Sequence, residues 1–455
     1  MSSTTRREFL AAAGATIATS TLVGPAVAQP APGVRRDITS RDAAQDLADY
    51  RTVVGKMRQK DPGDKRSWQY QATIHQNSCP HGNWFFLPWH RAYLLEFEEI
   101  CRALLNKPAF MLPYWNWTAN PAIPDDFWGQ GNDLANGTRR IKRGAAIGAE
   151  FVGQRVMDGI MALPDFVTFG SSPSRTVRPA VGFGDLESKP HNNVHNSIGG
   201  DMQDLMSPLD PIFWPHHANI DRIWSMWSRN HSNPSENDWL NLEMDFVDKT
   251  GGNAKFKPAG LLNTRTLGYR YDTEPATVTF AAPPPRAVAT SVPPGLAAVA
   301  TSNAGSTTPQ LVQLKAQVPP DLRRLLNQLP ANPEAKRPAT FRLKIEGVAP
   351  LPDDTNPVSV RVFINCDYLA PRTPPTDLHH VGTFSFFGER HRAGGHSDMA
   401  VSRYLDATPA LRRLYGGRDY PDDTARIGLV TIDTLTGNPK EYFLAASKVT
   451  LEAVE

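Results

Sequence analysis

The sequence predicts a mainly α-helical core, a proline-rich linker and a small β-sandwich-like domain at the C-terminal end. Helical patterns dominate around the histidines in residues 37–272, the composition then turns to Pro, Ala, Ser and Thr, and short runs of β-forming residues follow. A chain of 455 residues also exceeds the usual size of one hydrophobic core. We therefore expect a core at residues 29–274, a linker at 275–338 and a β-rich domain at 339–455.

Residues 1–28 have the pattern of an export signal. Arg6 and Arg7 precede an Ala-rich apolar run to Val23, and a small-residue cleavage site ends at Ala28. This order resembles a bacterial twin-arginine signal. A membrane anchor is disfavoured, because the run is shorter than the roughly 20 strongly apolar residues that a span needs. We expect the mature chain to have no membrane span and to be periplasmic or secreted.

The composition excludes several classes of protein. The formal net charge is +2, with 21% charged and 40% hydrophobic residues. Nucleic acid or an anionic membrane would require a stronger field of one sign, so neither is expected as a partner. The three cysteines, Cys79, Cys101 and Cys366, are too few for a disulfide framework. Core burial and metal must therefore provide the stability.

The linker and the β-rich domain are predicted from local patterns. Runs of proline mark the linker at 283–285, 293–294 and 319–320, and its one helix-like piece extends from Asp321 to Gln328. Turn residues separate the β-type runs, which indicates a compact β-sandwich-like domain. These runs are residues 341–345, 358–364, 381–387 and 428–432.

Histidines in the predicted core form two groups. The groups are His75, His81 and His90, followed by His191, His195, His216 and His217. On a helix, His191 and His195 would face one ion, although such a pair alone is more often surface or core histidine than ligand. His217 on a second helix, with Asp221 one turn later to orient a ligand ring, favours a metal site. Neutral nitrogen ligands without thiolate or carboxylate favour copper that reacts with oxygen, and two groups predict two ions.

Several stretches resemble the tyrosinase family, which includes catechol oxidases and other polyphenol oxidases. Residues 81–91 and 210–222 closely resemble its two copper-binding signatures. Residues 110–117 resemble the segment between them, and residues 269–271 resemble the Tyr-x-Tyr motif that closes the family's catalytic core. The resemblance covers residues 69–272 and continues more weakly into a β-domain like that of plant polyphenol oxidases. It implies a four-helix bundle around two copper ions.

The resemblance also implies which histidines bind copper. It assigns copper A to His75, His81 and His90, and copper B to His191, His195 and His217. His75 precedes His81 by fewer residues than in many relatives, but no other histidine stands before His81. His216 would be a packed or hydrogen-bonded neighbour. The other histidines are expected to be solvated loop residues: His231, His379, His380, His391 and His396.

Two pairs of residues are implied to support the copper site. Cys79 has the Cys-x-His spacing at which fungal tyrosinases join the cysteine sulfur to the ligand ring, so a thioether with His81 is expected, with a buried free thiol as the alternative. Glu187 and Asn192 are expected to hold a water that accepts the phenol proton. The alternative for Glu187 is an exposed loop carboxylate.

The resemblance places a substrate gate at Asn196, Leu205 and Met206. Plant relatives often have a Phe over copper A in this loop, so the smaller residues here should admit phenols more easily. Phe86 and Phe213 are expected to be core aromatics that bracket the coppers rather than substrate contacts.

The implied activity is oxidation of phenols to o-quinones with dioxygen, by hydroxylation of monophenols and oxidation of o-diphenols. The alternatives are an o-aminophenol oxidase, a catechol-only oxidase and a hemocyanin-like oxygen carrier. The C-terminal domain is expected to be a lid over the copper site, as in latent plant relatives, with a structural or partner-binding module as the alternative. An oligomer is compatible with the sequence.

Overall fold

The computed structural model describes residues 32–178, 180–274, 305–308, 311–331, 339–348, 358–387, 401–441, 444, 446 and 448–454. Residues 33–455 form one compact unit. The predicted export signal, residues 275–304 of the predicted linker, His391 and His396 lie outside the described residues. In the described part of the chain, every helix is too short or too polar to cross a lipid bilayer.

Helices dominate the first part of the chain and strands dominate the second. Within the described ranges the helices are α1 (Ala44–Arg58), α2 (Trp68–Ser78), α3 (Phe86–Leu105), α4 (Ala149–Val152), α5 (Gln154–Met161), α6 (Phe166–Gly170), α7 (Asn192–Ile198), α8 (Phe213–Trp227), α9 (Asn237–Asn241), α10 (Pro320–Asn327) and α11 (Thr408–Tyr415). The strands there are β1 (Gly33–Arg35), β2 (Gly182–Phe183), β3 (Met244–Val247), β4 (Asn253–Phe256), β5 (Tyr269–Tyr271), β6 (Gly305–Thr308), β7 (Leu311–Gln317), β8 (Thr340–Glu346), β9 (Val358–Ile364), β10 (His380–Ser385), β11 (Ser402–Asp406), β12 (Thr424–Asp433) and β13 (Lys448–Val454).

The long helix α3 is buried over most of its length, as expected for a helix enclosed by the rest of the core. It contacts α1 and α8, and Phe97 of α3 stacks on Trp214 of α8 with ring centroids 3.4 Å apart. The Ser67 side chain caps α2 by accepting a hydrogen bond from the Tyr70 amide at 3.1 Å, which fixes the start of the helix that carries His75. The predicted helical core is confirmed, whereas its arrangement as a four-helix bundle stays a prediction.

Asp221 is the centre of a buried polar network that joins Arg35, near the start of the core sequence, to Tyr269 and Tyr271, near its end. Its carboxylate accepts hydrogen bonds from Arg91 at 2.5 Å and Arg35 at 3.3 Å, and from the hydroxyls of Tyr269 at 2.6 Å and Tyr271 at 2.5 Å. Burial alone would raise the pKa of Asp221, but the two arginines lower it. The prediction that Asp221 orients a ligand ring was wrong, because its carboxylate instead accepts hydrogen bonds from two arginine guanidiniums and two tyrosine hydroxyls.

Two sheets form the β-rich part. One has the order β10-β9-β12-β7-β6 and the other the order β13-β8-β11-β2. Side chains from both sheets share one hydrophobic core, which includes Leu314, Val360 and Leu429 from the first and Leu343 and Leu451 from the second. Packing of two sheets on a common core is the arrangement expected of a sandwich.

The predicted linker is wrong in its second half, because residues 311–317 form strand β7 inside the five-stranded sheet. Leu314 and Ala316 are buried and alternate with the exposed Lys315 and Gln317, which is the pattern of a strand with one covered face. The neighbouring prolines obscured this short alternation. The helix-like piece that the sequence indicated is confirmed as α10.

The helical core and the β-rich part share one sheet and a polar interface. Strand β2 comes from the core and pairs in parallel with β11. The Arg361 guanidinium contacts both oxygens of the Glu150 carboxylate, at 2.9 and 2.7 Å. The Ser359 hydroxyl donates to Asn193 at 2.7 Å, next to the predicted copper B residues. These contacts bring the β-rich part against the helices that carry the histidines.

Candidate metal centre

The first group of predicted ligands comes from α2, the following loop and α3. His75 Nδ1 lies 2.6 Å from the Leu205 carbonyl, and His90 Nδ1 lies 2.8 Å from the Phe86 carbonyl. A carbonyl can only accept, so each Nδ1 carries the proton and each Nε2 keeps a free lone pair. Contacts of this kind orient metal-binding histidines in proteins.

In the second group, protein oxygens likewise contact Nδ1 of His191 and His195. The π-helical turn Glu187–His191 leads directly into α7, so that His191 and His195 lie one turn apart. His195 Nδ1 lies 2.6 Å from the Met202 carbonyl. His217 on α8 brings its Nε2 to 3.4 Å from His195 Nε2. Nε2 is therefore the nitrogen available to an ion in His191 and His195. His217 Nδ1 has no hydrogen-bond partner among the described residues, so no such contact selects between its two ring nitrogens.

The six rings form one continuous cluster rather than two separated triplets. Ring centroids lie 5.6–5.9 Å apart within the first group and 4.6–5.6 Å apart within the second. The His90 and His217 rings stack across the groups at 4.2 Å. Potential ligand atoms of His217 lie within 4.8 Å of those of His75 and His90, as well as of those of His191 and His195. The cluster is compact enough for neighbouring ions to share it.

The cluster is buried, and burial keeps five of its six rings neutral. All six side chains are 0–3% exposed. Burial lowers the pKa of His75 to about 4 and that of His191 to about 3. Burial likewise holds the pKa values of His90, His195 and His217 well below their usual range. These five imidazoles are therefore in the neutral form that binds a metal ion.

Unpartnered ring nitrogens also indicate that the histidine cluster could hold a metal ion. In the described part of the protein, four buried histidine nitrogens in this cluster have no hydrogen-bond partner: Nε2 of His75, His191 and His216, and Nδ1 of His217. Buried polar atoms are nearly always satisfied, so several such nitrogens in one cluster indicate a missing bonding partner. A metal ion that accepts lone pairs from this cluster supplies it. Copper, zinc, iron and nickel all accept imidazole ligands.

His216 is a fourth buried histidine beside the second group, and potential ligand atoms of all four lie within 4.8 Å. Its Nδ1 accepts a hydrogen bond from the Trp117 indole at 3.1 Å. An indole N–H can only donate, so the proton of the neutral His216 ring is on Nε2, which cannot bind a metal in that form. The prediction that His216 is a hydrogen-bonded neighbour is thus supported by its geometry.

Cys79 lies against the first group. Its Sγ is 3.2 Å from His81 Nε2 and 3.3 Å from His90 Nε2. The side chain is buried, with 1% exposure. The short distance to His81 is compatible with the predicted thioether and with a free thiol.

Glu187 and Asn192 contact ligand rings directly. The Glu187 carboxylate lies 3.0 Å from His81 Nδ1 and also accepts from the Gly82 amide and the Ser171 hydroxyl. Asn192 Oδ1 lies 2.8 Å from His191 Nδ1. Glu187 is fully buried, so the alternative of an exposed loop carboxylate was wrong. Both side chains are placed to orient ligands.

The three predicted gate residues have different surroundings. Asn196 is buried, and its amide donates to the Phe386 carbonyl at 2.7 Å. Leu205 supplies the carbonyl that contacts His75. The Met206 amide donates to Asp204 at 2.8 Å at the start of a 3-10 turn. Leu205 and Met206 are half-buried, whereas Asn196 is engaged by the β-rich part.

Phe86 and Phe213 bracket the histidines as predicted. The Phe86 ring lies 4.7 Å from His90 and 4.8 Å from His191. The Phe213 ring lies 4.2 Å from His217. Both are fully buried, so they are core aromatics that pack the ligand rings.

Phe387 was missed by the sequence analysis, which interpreted residues 381–387 only as a strand. Its ring lies 4.0 Å from the His195 ring, 5.0 Å from His81 and 5.6 Å from His191. Consecutive phenylalanines at 386–387 break the alternation of a strand. Successive side chains of a strand point to opposite faces, so a regular strand with one covered face would expose one of the two rings. Two phenylalanines in a row were therefore the sequence signal for a second buried contact.

Three of the histidines predicted to be solvated loop residues make contacts within the described structure. His380 lies on β10 and contacts the Thr383 hydroxyl at 3.1 Å, and burial lowers its pKa to about 3. His231 stacks on Trp227 at 4.6 Å. A third, His379, contacts the Ile364 carbonyl through Nδ1 at 2.8 Å. The prediction of a solvated loop histidine was wrong for His380, because it belongs to strand β10. His231 and His379 lie outside helices and strands and are partly exposed, as predicted for loop histidines.

The fold thus holds a buried cluster of six histidines that could bind metal ions. The family model described as the common central domain of tyrosinase matches residues 65–166 and 148–230. A tyrosinase of Hahella sp. strain CCB-MM4 is 31% identical over 280 residues, which cover 50% of this chain and 60% of that protein. Residues 65–230 are therefore similar to the central domain shared by tyrosinases, and tyrosinases and polyphenol oxidases are among the proteins that the chain resembles.

Two further comparisons extend this result. Chloroplastic polyphenol oxidase E of Solanum lycopersicum is 31% identical over 272 residues, covering 50% of this chain and 46% of that protein. The chain thus spans about half the length of the curated relatives that it matches. The structure of latent apple tyrosinase shares the fold, with a TM-score of 0.73 and 22% identity over 94% of this chain and 98% of that one.

Proposed function

We propose that this protein is a copper-dependent phenol oxidase that converts phenols to o-quinones with dioxygen. The observation that carries the proposal is the buried cluster of six histidines, of which five have Nδ1 in contact with an oxygen atom of the protein. The similarity of residues 65–230 to tyrosinases supports copper as the metal. Two bound copper ions would supply the electrons that activate dioxygen and would polarise the phenol oxygen.

The proposed ligands are those that the family pattern implies. His75, His81 and His90 would hold copper A, and His191, His195 and His217 would hold copper B. The Trp117–His216 hydrogen bond supports the choice of His217 over its neighbour. The short Cys79–His81 distance supports a thioether that would hold the His81 ring in place.

Glu187 and Asn192 are proposed to act in two ways. Each holds the Nδ1 side of a ligand ring, His81 or His191, so that Nε2 faces the metal. We further propose that they assist proton removal from the phenol through a water, since a carboxylate within a buried cluster is suited to general-base work. The first role should affect metal affinity and the second should affect turnover of copper-loaded enzyme.

Residues 385–387 are proposed to be a lid over the copper site. The Asn192 amide donates to the Ser385 carbonyl at 3.1 Å, and Asn196 donates to the next carbonyl at 2.7 Å. The Phe387 ring lies on the His195 ring, against which a phenol would dock. Phenol oxidation therefore requires this segment to move, and the untreated full chain should have low activity. The proposed gate residue Asn196 would become available to substrate only after that movement.

Hemocyanin-like oxygen binding is the second candidate, and the covered His195 ring favours it. Dioxygen is small enough to enter a site that excludes phenols. The two functions differ in turnover, because an oxygen carrier binds and releases dioxygen unchanged. Catechol-only and o-aminophenol oxidases are alternatives within the enzyme class.

The test is steady-state dioxygen consumption by copper-loaded full chain and by its Phe387→Ala variant. The substrates are a monophenol, the matching o-diphenol and the matching o-aminophenol. We expect both phenols to be consumed with formation of o-quinone, and His217→Ala to abolish this. Consumption of the diphenol or the aminophenol alone would identify one of the alternative oxidases. If neither protein oxidises any of the three, the enzyme proposal fails.

We also propose that residues 1–28 direct export of the folded protein by a twin-arginine route. Arg6 and Arg7 in their sequence context support this. Exchange of both for lysine should leave the protein in the cytoplasm of a bacterial host, as measured by immunoblotting of cell fractions. Normal export of that variant would exclude the route.

A further inference from the structure

A second cluster of metal-binding side chains lies in the β-rich part, on the connection between β9 and β10. Potential ligand atoms of Cys366, Asp377 and His379 all lie within 4.8 Å of one another. Cys366 follows the end of β9 at Ile364, and His379 immediately precedes β10. The three residues therefore face one another across the two ends of a single loop, and none belongs to the copper site.

We propose that Cys366, Asp377 and His379 bind one Zn²⁺ ion, as a metal site distinct from the histidine centre. Zinc accepts cysteine sulfur, histidine nitrogen and carboxylate oxygen, and it commonly has four ligands in tetrahedral geometry. Three protein ligands and one water complete that number. Calcium and magnesium prefer oxygen ligands alone, so a thiolate disfavours them. Binding would release the Cys366 thiol proton to solvent.

The His379 ring is already oriented for a metal ion. Its Nδ1 lies 2.8 Å from the Ile364 carbonyl. Because the carbonyl can only accept, Nδ1 carries the proton and Nε2 retains its lone pair. A backbone carbonyl on the opposite nitrogen is a common second contact of metal-binding histidines. The same arrangement occurs at His75, His90 and His195 in the copper site.

The Asp377 carboxylate is also held in place. Its Oδ1 accepts from the His379 amide at 2.9 Å, and its Oδ2 accepts from the Tyr368 hydroxyl at 3.1 Å. Each carboxylate oxygen can accept more than one bond, so both contacts are compatible with a bond to an ion. The two donors fix the direction of the carboxylate relative to His379.

Turns within the loop hold the three ligands without help from an ion. The Thr373 amide donates to the Ala370 carbonyl at 2.9 Å, and the Asp377 amide donates to the Pro374 carbonyl at 3.1 Å. Asn365 adopts the left-handed φ of 52° just before Cys366, and its amide donates to the Tyr420 hydroxyl at 2.8 Å. A site on such a preorganised loop loses little conformational entropy when it binds.

An ion at this position would fix the start of β10, the strand that leads to the lid segment at 385–387. The loop closed by the ion joins β9 to β10, and these strands pair in antiparallel register from His380 to Ser385. Zinc should therefore protect the hairpin from opening. The inference does not rest on phenol oxidation, because metal content and cysteine reactivity report on it directly.

The experiment uses copper-loaded full chain, so that the histidine centre is filled before zinc is added. After incubation with Zn²⁺ and removal of loosely bound metal, zinc and copper per chain are measured by mass spectrometry. We expect about one zinc ion per chain in the wild type and none in Cys366→Ser or His379→Ala, with copper unchanged. Asp367→Asn is the matched control, because this exposed neighbour pairs with Arg426 and is outside the cluster. It should retain the zinc.

A second measurement needs no variant. Co²⁺ bound in place of zinc should produce thiolate-to-cobalt charge-transfer absorption, and bound Zn²⁺ should slow alkylation of Cys366 at least ten-fold. Absence of the thiolate band, absence of zinc in the wild type, or retention of zinc by Cys366→Ser would each overturn the proposal.

Discussion

The Phe387 ring of the β-rich part lies 4.0 Å from the ring of His195 in the helical core, at an interplanar angle of 33°. It is 2% exposed and also contacts His81. A residue distant in sequence thus occupies the face of a predicted copper ligand. If that face is the docking surface for phenols, the side chain competes with substrate.

Removal of this ring should activate the full-length enzyme. We expect Phe387→Ala to raise kcat/KM for an o-diphenol by about 10- to 100-fold, because a buried phenylalanine contributes roughly 1.5–3 kcal/mol of apolar burial. Phe387→Leu retains an apolar cover and should give a smaller increase. The measurement is initial quinone formation at equal copper content. Equal rates for all three proteins would show that Phe387 does not limit access.

Glu187→Gln should weaken copper binding at the first histidine group. The variant loses the negative acceptor beside His81 Nδ1, and loss of such a contact typically reduces metal affinity by about 10- to 100-fold. The measurement is copper retention during competition with a chelator. Glu243→Gln is the control, since Glu243 is an exposed carboxylate that pairs with Lys255. Unchanged retention in Glu187→Gln would contradict an orienting role.

The metal-free protein should lose stability as the pH falls below about 6.5. Burial lowers the pKa of His75 to about 4 and that of His191 to about 3 in the folded chain. The unfolded chain therefore binds more protons between the ordinary histidine pKa and these values, and stability falls with pH throughout that window. Each such histidine should remove about 1.4 kcal/mol per pH unit.

Urea unfolding of metal-free wild type and His75→Asn, at pH values from 7 to 4.5, checks this expectation. The variant keeps a donor for the Leu205 carbonyl but lacks the titrating ring. Its free energy of unfolding should depend on pH less steeply, by about 1.4 kcal/mol per pH unit. Parallel curves would mean that His75 does not titrate as its burial implies.

Asp221→Asn should destabilise the fold by about 3–5 kcal/mol, because it leaves the buried guanidinium groups of Arg35 and Arg91 without their shared anion. Asp245→Asn is the control, since Asp245 is exposed on β3 and its substitution should cost no more than about 0.5 kcal/mol. Denaturant unfolding of both variants measures the difference. A loss below about 1 kcal/mol for Asp221→Asn would contradict the central role of this carboxylate.

The clustered histidines were predictable as candidate metal ligands because their chemistry is local in the sequence. The i, i+4 spacing of His191 and His195 and the signature around His217 identify donors whatever the rest of the chain does. The helical core followed from the same stretches. The roles of Glu187 and Asn192 were expected to involve water, whereas the fold places both against ligand rings.

Other features depended on contacts between residues far apart in the chain. Strand β7 was hidden by neighbouring prolines and is defined by its place between β6 and β12. Asp221 was expected to face a ligand, but two arginines and two tyrosines from distant segments surround it. Short-range patterns carry no information about such partners.

The sequence by itself therefore determined the kind of centre this protein has: six histidines in two groups, in a helical setting typical of the tyrosinase family. Only the tertiary structure decided which ring nitrogens contact protein oxygens, which histidine accepts a hydrogen bond from Trp117, and which side chain covers His195. The physical reason is that ligand identity is a property of the side chain. Orientation and access depend on hydrogen bonds and packing between segments that meet only in the folded protein.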